Sequence, residues 1–475
     1  MEDAAFDHAG CCYALGRDAA TESSLVMYFS PEGQLLWTRR LGGTEHAVSL
    51  VRCRVDSVGN LYAVGSGRLT TETNPQPLIV KYSRQGELLW ERVMTAEGAA
   101  AFTDLEVDCR AYKSGAPHQR AGATDDVFAV GHDRVSGRDV GLIVRLSGEG
   151  ELRWRREVTN HGPTEQGTTL FRGVALGVDG RLGVGGHYYD GVSEGLGSGL
   201  VAWFDPEDGR PTGAALVDCG GEEPFIIRGA AAAADGSFWF VGDQTIDLWD
   251  FQREAVALNW RGTGNNALVT CSTLRHEDPE SDMSCRDCGN EQGRNALVLA
   301  CQVYTGGGSK AVLDRIDADQ TGWPKVVDVG LRSRLWGVSV GGRELLVAGG
   351  YENASPANTS TLMLLRMPYD QVAPDGVAAT TEPVEFRAPT EGEFTRTTPV
   401  PTSTALQLSW DRLTTPENSE EGLVYRYTTS PTLQSGQVSI TVQLGDSETT
   451  ETPVSNPLEI PSTEVITLVM ETHRF

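Results

Sequence analysis

Short runs of β-branched, aromatic and aliphatic residues alternate along most of this chain with turns of Gly, Asp and Ser. Runs of four to eight such residues, bounded in that way, predict β-strands. One run, NLYAVGS, ends at Gly65. It returns as CYALGR (Gly16), VFAVGHD (Gly131), LGVGGHY (Gly186), FWFVGDQ (Gly242), LVLACQV (Cys301) and LLVAGGY (Gly349). A second run follows it, as in LVMYFSPEGQLLWTRR with Trp37, LIVKYSRQGELLWERV with Trp90 and LIVRLSGEGELRWRREV with Trp154. A third precedes it, as in LVRCRVDSVG and FRGVALGVDG, with Asp56, Asp179 and Asp235 at one recurring place.

Each unit therefore reads as an antiparallel meander of about four strands, with Gly in the hairpin turns where positive φ is needed. One such sheet cannot cover both of its faces, and radial packing of the units buries each face on a neighbour. The pattern predicts a seven-bladed β-propeller over residues 1–370. The inner strand of the first unit is clipped to a few residues, and the seventh unit stops after LMLLRMPYD without an outer strand. Unpaired edges invite pairing. The expected closure is the return of Pro383–Arg387 as the missing strand; residues upstream of Met1, or a partner strand on an open edge, are the alternatives.

Residues 371–403 are rich in Pro, Thr and Glu and predict a linker. Alternation resumes in ALQLSW, LVYRYTT, QVSITVQL, PLEI and EVITLVM, which predicts a small β-sandwich over 404–475. LQLSWDR followed by VYRYTT is loosely similar to fibronectin type III and other immunoglobulin-like modules. The expected fold class is all-β, a seven-bladed propeller followed by this sandwich.

The string VKYSRQGELLWERV and the run FSPEGQLLWTRRLGGTEHAVSLVRCRVDSVGNLYAVGS resemble the bacterial seven-bladed propeller repeat family (SBBP). The resemblance is close in the first three units, looser in the next three, and spans about residues 1–370. It implies the fold and export, and no activity. A weaker resemblance to quinoprotein-type and outer-membrane-assembly propellers rests on Asp319, Thr321, Gly322 and Trp323.

The chain carries 39 Lys and Arg against 65 Asp and Glu, a net charge of −26. A phosphate backbone or an anionic membrane surface would be repelled, so nucleic acid is excluded as a partner. No apolar stretch approaches the roughly 18 residues needed to cross a bilayer. The N-terminal MEDAAFDHAG has no apolar leader. The repeats still favour export, with the native start upstream, to the periplasm, the cell surface or the medium.

Candidate chemistry is sparse. Gly191, Ser193 and Gly195 fit the nucleophile-elbow pattern but fall in a hairpin loop without a following helix. Asp317, Asp319, Thr321 and Asp328 have an EF-hand-like spacing that would suit calcium. An ordinary hairpin turn accounts for the same residues, and no other cofactor is expected. Nine cysteines include Cys285 and Cys288 in SCRDC, flanked by Cys271 and Cys301, each after the string NALV. Disulfides Cys271–Cys301 and Cys285–Cys288 are expected ahead of zinc. Asn353 and Asn358 head glycosylation-type sequons. The expected function is non-enzymatic. It is an exported binding or scaffolding protein that uses loops or blade edges to hold a protein or glycan partner, or to take a place in an assembly. The alternative is a propeller enzyme, a quinoprotein-like oxidoreductase or a polysaccharide-active enzyme.

Overall fold

The computed structural model describes residues 2–471 apart from 8, 19–21, 32, 44–45, 70–73, 110–124, 160–166, 190–196, 221–224, 248–251, 263–266, 279–280, 291–295, 307, 318–321, 329–331, 342–343, 353–359, 369–379, 382–383, 388, 391, 406–408, 412–438 and 445–465. Among the described residues every regular element is a β-strand.

The strands fall into successive antiparallel meanders. The first is β1 (Asp3–Phe6), β2 (Cys12–Asp18), β3 (Ser23–Phe29) and β4 (Leu35–Leu41). The second is β5 (His46–Val55), β6 (Leu61–Leu69), β7 (Gln76–Tyr82) and β8 (Leu88–Val93). The third is β9 (Ala101–Val107), β10 (Val127–Val135), β11 (Arg138–Leu146) and β12 (Leu152–Thr159). The fourth is β13 (Thr168–Leu176), β14 (Leu182–Tyr189), β15 (Gly197–Phe204) and β16 (Pro211–Asp218). The fifth is β17 (Phe225–Ala232), β18 (Phe238–Asp247), β19 (Gln252–Arg261) and β20 (Leu268–His276). The sixth is β21 (Asp282–Asn290), β22 (Leu297–Thr305), β23 (Gly308–Ile316) and β24 (Gly322–Asp328). A last meander contains β25 (Arg332–Gly341), β26 (Glu344–Glu352) and β27 (Ser360–Pro368).

The first strand of each meander packs on the first strand of the next, and β25 packs on β1. The apolar clusters lie between meanders. Tyr13, Val26, Leu61 and Val80 share one cluster across the first two, while Ala4, Met27, Leu346 and Leu364 join the first to the last. Burial between sheets is the main favourable term for strands that are apolar on both faces. The whole is all-β and consistent with a propeller-like arrangement.

Three recurring sequence features have local causes. Asp56 opens the turn after β5 and accepts the N–H groups of Val58 and Asn60 at 3.1 and 2.8 Å, whereas Asp179 and Asp235 stand two places further along their turns and accept those of Arg181 and Ser237 at 3.1 and 3.0 Å. The recurring Gly of the second strands faces a β-bulge in the first strand. A Cβ on Gly65 would lie 1.9 Å from the Ser49 carbonyl oxygen, and one on Gly242 would lie 1.8 Å from that of Ile226. The recurring Trp reaches the next meander: the Trp37 indole N–H donates to Arg84 O at 3.0 Å, and that of Trp154 to Pro206 O at 3.0 Å.

The tail departs from expectation. β28 (Thr380–Thr381) and β29 (Val384–Arg387) form a hairpin, and β29 pairs with β24, the outer strand of the sixth meander. β30 (Phe394–Thr397) then pairs with β20, β31 (Thr402–Ala405) with β16 and β32 (Ser409–Asp411) with β12. Where a linker was expected, the chain runs back around the meanders and lays a fifth strand on four of them. Pro383–Arg387 is thus not the missing strand of the last meander. That place is taken by β34 (Ile466–Glu471), which pairs with β27 and with β33 (Ser439–Leu444). The edge of β27 needed a fourth strand, and a longer apolar segment, ITLVME, supplies it. Most of the sandwich expected over 404–475 lies outside the described residues. Its described strands pair with the meanders, apart from β33, which pairs with β34.

Candidate functional site: a charged cluster on the inner strands

Each first strand from β5 to β25 carries one bulge, at Val51, Thr103, Arg172, Arg228, Arg286 and Trp336. A bulge turns one side chain out of the strict alternation. All six of these residues are partly exposed, whereas the residues just before them, from Leu50 and Phe102 to Cys285 and Leu335, are buried. The first strands pack on one another, so the six side chains come from adjoining strands.

The residue after the bulge builds a buried tier. Asp104 accepts the Val174 N–H at 2.9 Å, and Asp287 accepts that of Val338 at 3.0 Å. Asp3 accepts the Cys53 N–H at 2.8 Å. Each carboxylate thus clasps the first strand of the following meander. Arg54 lies 3.5 Å from Asp3 and 3.6 Å from Asp104. Arg52 donates to the carbonyls of Trp336 and Arg286, both at 2.9 Å, and lies 3.7 Å from Asp287. Burial raises Asp3 to about 6 and Asp104 to about 7, against the pull of the two guanidinium groups. Asp3 Oδ1 and Asp104 Oδ1 are buried without a hydrogen bond, but the tier holds strands together and its carboxylates are all ion-paired.

The second tier is not fully paired. Arg228 forms a two-pronged pair with Asp243, and Arg253 bridges Asp243 and Asp282 at 3.5 and 3.3 Å. Arg172 has no hydrogen-bond or ion-pair partner among the described residues; burial and the neighbouring Arg228 push it below the ordinary guanidinium value. The Nε atoms of Arg172 and Arg286 are buried without a hydrogen bond. So are the Nδ1 atoms of His132 and His187, which occupy matching register positions on β10 and β14. Burial, with Arg172 and Arg228 nearby, lowers His187 to about 4, so its ring is neutral at physiological pH. Gln302, at the same register position on β22, has neither amide atom bonded. Four guanidinium groups here face two carboxylates, in a chain whose net charge is −26. Guanidinium groups left unpaired and partly dry fit an oxyanion.

The residues singled out from sequence lie elsewhere. Asp317 accepts from Arg315 Nε at 3.1 Å in the β23–β24 connection. Asp319, Thr321 and the side chain of Asp328 lie outside the described residues, as do Gly191, Ser193, Gly195, Asn353 and Asn358. All nine cysteines are buried free thiols. Cys271 is on β20, the outer strand of the fifth meander, beside Cys219. Cys301 is on β22 of the sixth, directly opposite Cys285. The expected Cys271–Cys301 pair is therefore split between two sheets. Cys285 and Cys288 belong to β21, an inner strand rather than an insert. The two NALV strings misled because one leads into an outer strand and the other into a second strand.

The missed site had a signal. FRG, IRG and CRD place Arg172, Arg228 and Arg286 at one position of three successive third phrases. No family model and no curated protein matches this chain. No described helix is long and apolar enough to cross a membrane.

Proposed function

We propose that the chain is a seven-bladed β-propeller that works outside the cytoplasm as a non-enzymatic binding protein, holding a protein or glycan partner by an anionic group at the inner-strand cluster. The observation that carries this reading is Arg172, a partly exposed guanidinium without a partner among the described residues, set beside Arg228 and Arg286 from the next two meanders. The repeat resemblance and the packing of β25 on β1 support the propeller. Asp243 and Asp282, the carboxylates beside Arg228 and Arg253, are engaged by those guanidinium groups.

Thermal unfolding with added sulfate or acetate tests the reading. A ligand that binds only the folded state raises the midpoint in proportion to its occupancy. Wild type should be stabilised, and Arg172→Gln with Arg286→Gln should respond far less. Equal responses would overturn the site. Quinone absorbance in the purified protein would overturn the non-enzymatic assignment. The convergence of Arg and His from several meanders keeps an enzyme acting on an anionic substrate as the second reading.

A further inference from the structure

Resting on that reading, we infer that the anionic group belongs to a sugar: the cluster is shaped for an acidic carbohydrate residue, a pyranose bearing a carboxylate or a sulfate. Three observations lead there.

The first is the order of the bulge residues. Arg172, Arg228 and Arg286 are followed on the next inner strand by Trp336. The backbone carbonyls of Arg286 and Trp336 both accept from the Arg52 guanidinium, each at 2.9 Å, so one rigid tether fixes the two bulges side by side. Trp336 is partly exposed, although an indole gains from being covered. No described ring stacks on it. An aromatic face beside a cation suits the C–H face of a pyranose whose charged substituent points to the guanidinium groups.

The second is the neutral half of the site. His132 and His187 are partly exposed, with the Nδ1 of each buried and unbonded and the rest of the ring toward the surface. His187, held near 4, stays uncharged, so the part of the ring at the surface is a neutral imidazole. A site made for phosphate or sulfate alone gains nothing from a neutral imidazole, whereas sugar hydroxyls can donate to it and accept from it.

The third is the charge count. Arg228 is neutralised by Asp243, which leaves Arg172 and Arg286 as the open cations. Two guanidinium forks can grip one carboxylate or one sulfate ester from two sides, with one negative charge set against two positive ones. The −26 net charge of the chain excludes long-range attraction as the reason for binding. Recognition is then local and short-ranged, as it is for a terminal or side-branch sugar.

Isothermal titration with glucuronate, glucose 6-sulfate, glucose, acetate and inorganic sulfate tests this. Arg172→Gln removes a cation that has no partner among the described residues, so the fold should survive it. Trp336→Leu removes only the aromatic face. Glucuronate and glucose 6-sulfate should each bind about tenfold or more tightly than glucose, the worth of one charge-assisted hydrogen-bond pair. Arg172→Gln should erase that gap. Trp336→Leu should weaken the acidic sugars and leave acetate and inorganic sulfate unchanged. If acetate and inorganic sulfate bind as tightly as the acidic sugars, and Trp336→Leu changes nothing, the sugar is wrong and the oxyanion site stands. If wild type binds none of the five, both readings fall. Circular dichroism melts of both variants establish that they are folded, and a variant that is not is replaced by Arg286→Gln or Trp336→Met.

Discussion

The Trp90 indole lies flat against Gly150 of the following meander, and a Cβ on that glycine would come within 2.8 Å of the ring. The indole N–H donates to Gly148 O at 2.9 Å, and Arg92 Nε donates to Gly150 O at 2.9 Å. The same latch joins Trp37 and Arg39 to Gly86, and Trp154 to Gly209. It explains why Trp-x-Arg and a turn glycine recur together.

Gly150→Ala should therefore cost stability twice. Its φ of +81° disfavours any side chain, and the ring leaves no room. Gly137 has a similar φ of +83° but open space around it. Gly137→Ala should cost about 1 kcal/mol, and Gly150→Ala about 1–3 kcal/mol more. Urea unfolding of the two variants checks the difference, and equal costs would count against the latch.

Arg396 lies on β30, within the returning strap of β29–β32, and reaches from the fifth meander to Asp314 of the sixth, a carboxylate with no solvent exposure, while also donating to Ser272 Oγ at 2.9 Å. Removing it strands a buried charge. Arg396→Ala should destabilise by about 3 kcal/mol or more. Adding Asp314→Asn should restore part of the loss, and a double variant no better than the single would refute the pairing.

Protons on Asp3 and Asp104 tie stability to pH. Burial lifts both from an ordinary value of 3.8, to about 6 and about 7, with Arg52 and Arg54 opposing. Asp287 and Cys53 are the other titratable groups beside Asp3. The folded chain then holds protons that the unfolded chain has released, so this contribution is present below about 4 and is lost as pH rises through 6 to 7. Wild type should lose more stability than Asp104→Asn between pH 5 and pH 8, measured by urea midpoints. A larger loss in the variant would reverse the sign.

Thiol chemistry should follow register. Iodoacetamide should label few cysteines in the folded protein and all nine in denaturant. Under a deliberate oxidant, the first bridges should be Cys285–Cys301 and Cys219–Cys271, the pairs in contact. A Cys271–Cys301 peptide would contradict the assignment of those residues to different sheets.

The meanders were legible because turn chemistry and strand composition agree at each repeat; Asp56, Gly65 and Trp90 each do a local job that forces the residue type. The charged cluster was not, because it depends on bulges. Counting by twos along TTLFRGVAL carries Arg172 across the strand, and only the extra residue against Gly186 sets its side chain among the inner strands. The strap was hidden for another reason. An edge strand needs three or four residues of paired backbone and tolerates Pro at its ends, so its composition is that of a linker.

The strap also imposes an order in time. β12, β16, β20 and β24 receive their outer neighbours from residues 384–411, which leave the ribosome after all four meanders have been made. During synthesis, and during any passage across a membrane, those four strands present bare hydrogen-bonding edges. The neighbours arrive in reverse, sixth meander first and third last, so the meander finished earliest waits longest. A nascent chain of this protein is most vulnerable to sticking to its own kind just before residues 384–411 are made, and its quality control is best timed to that interval.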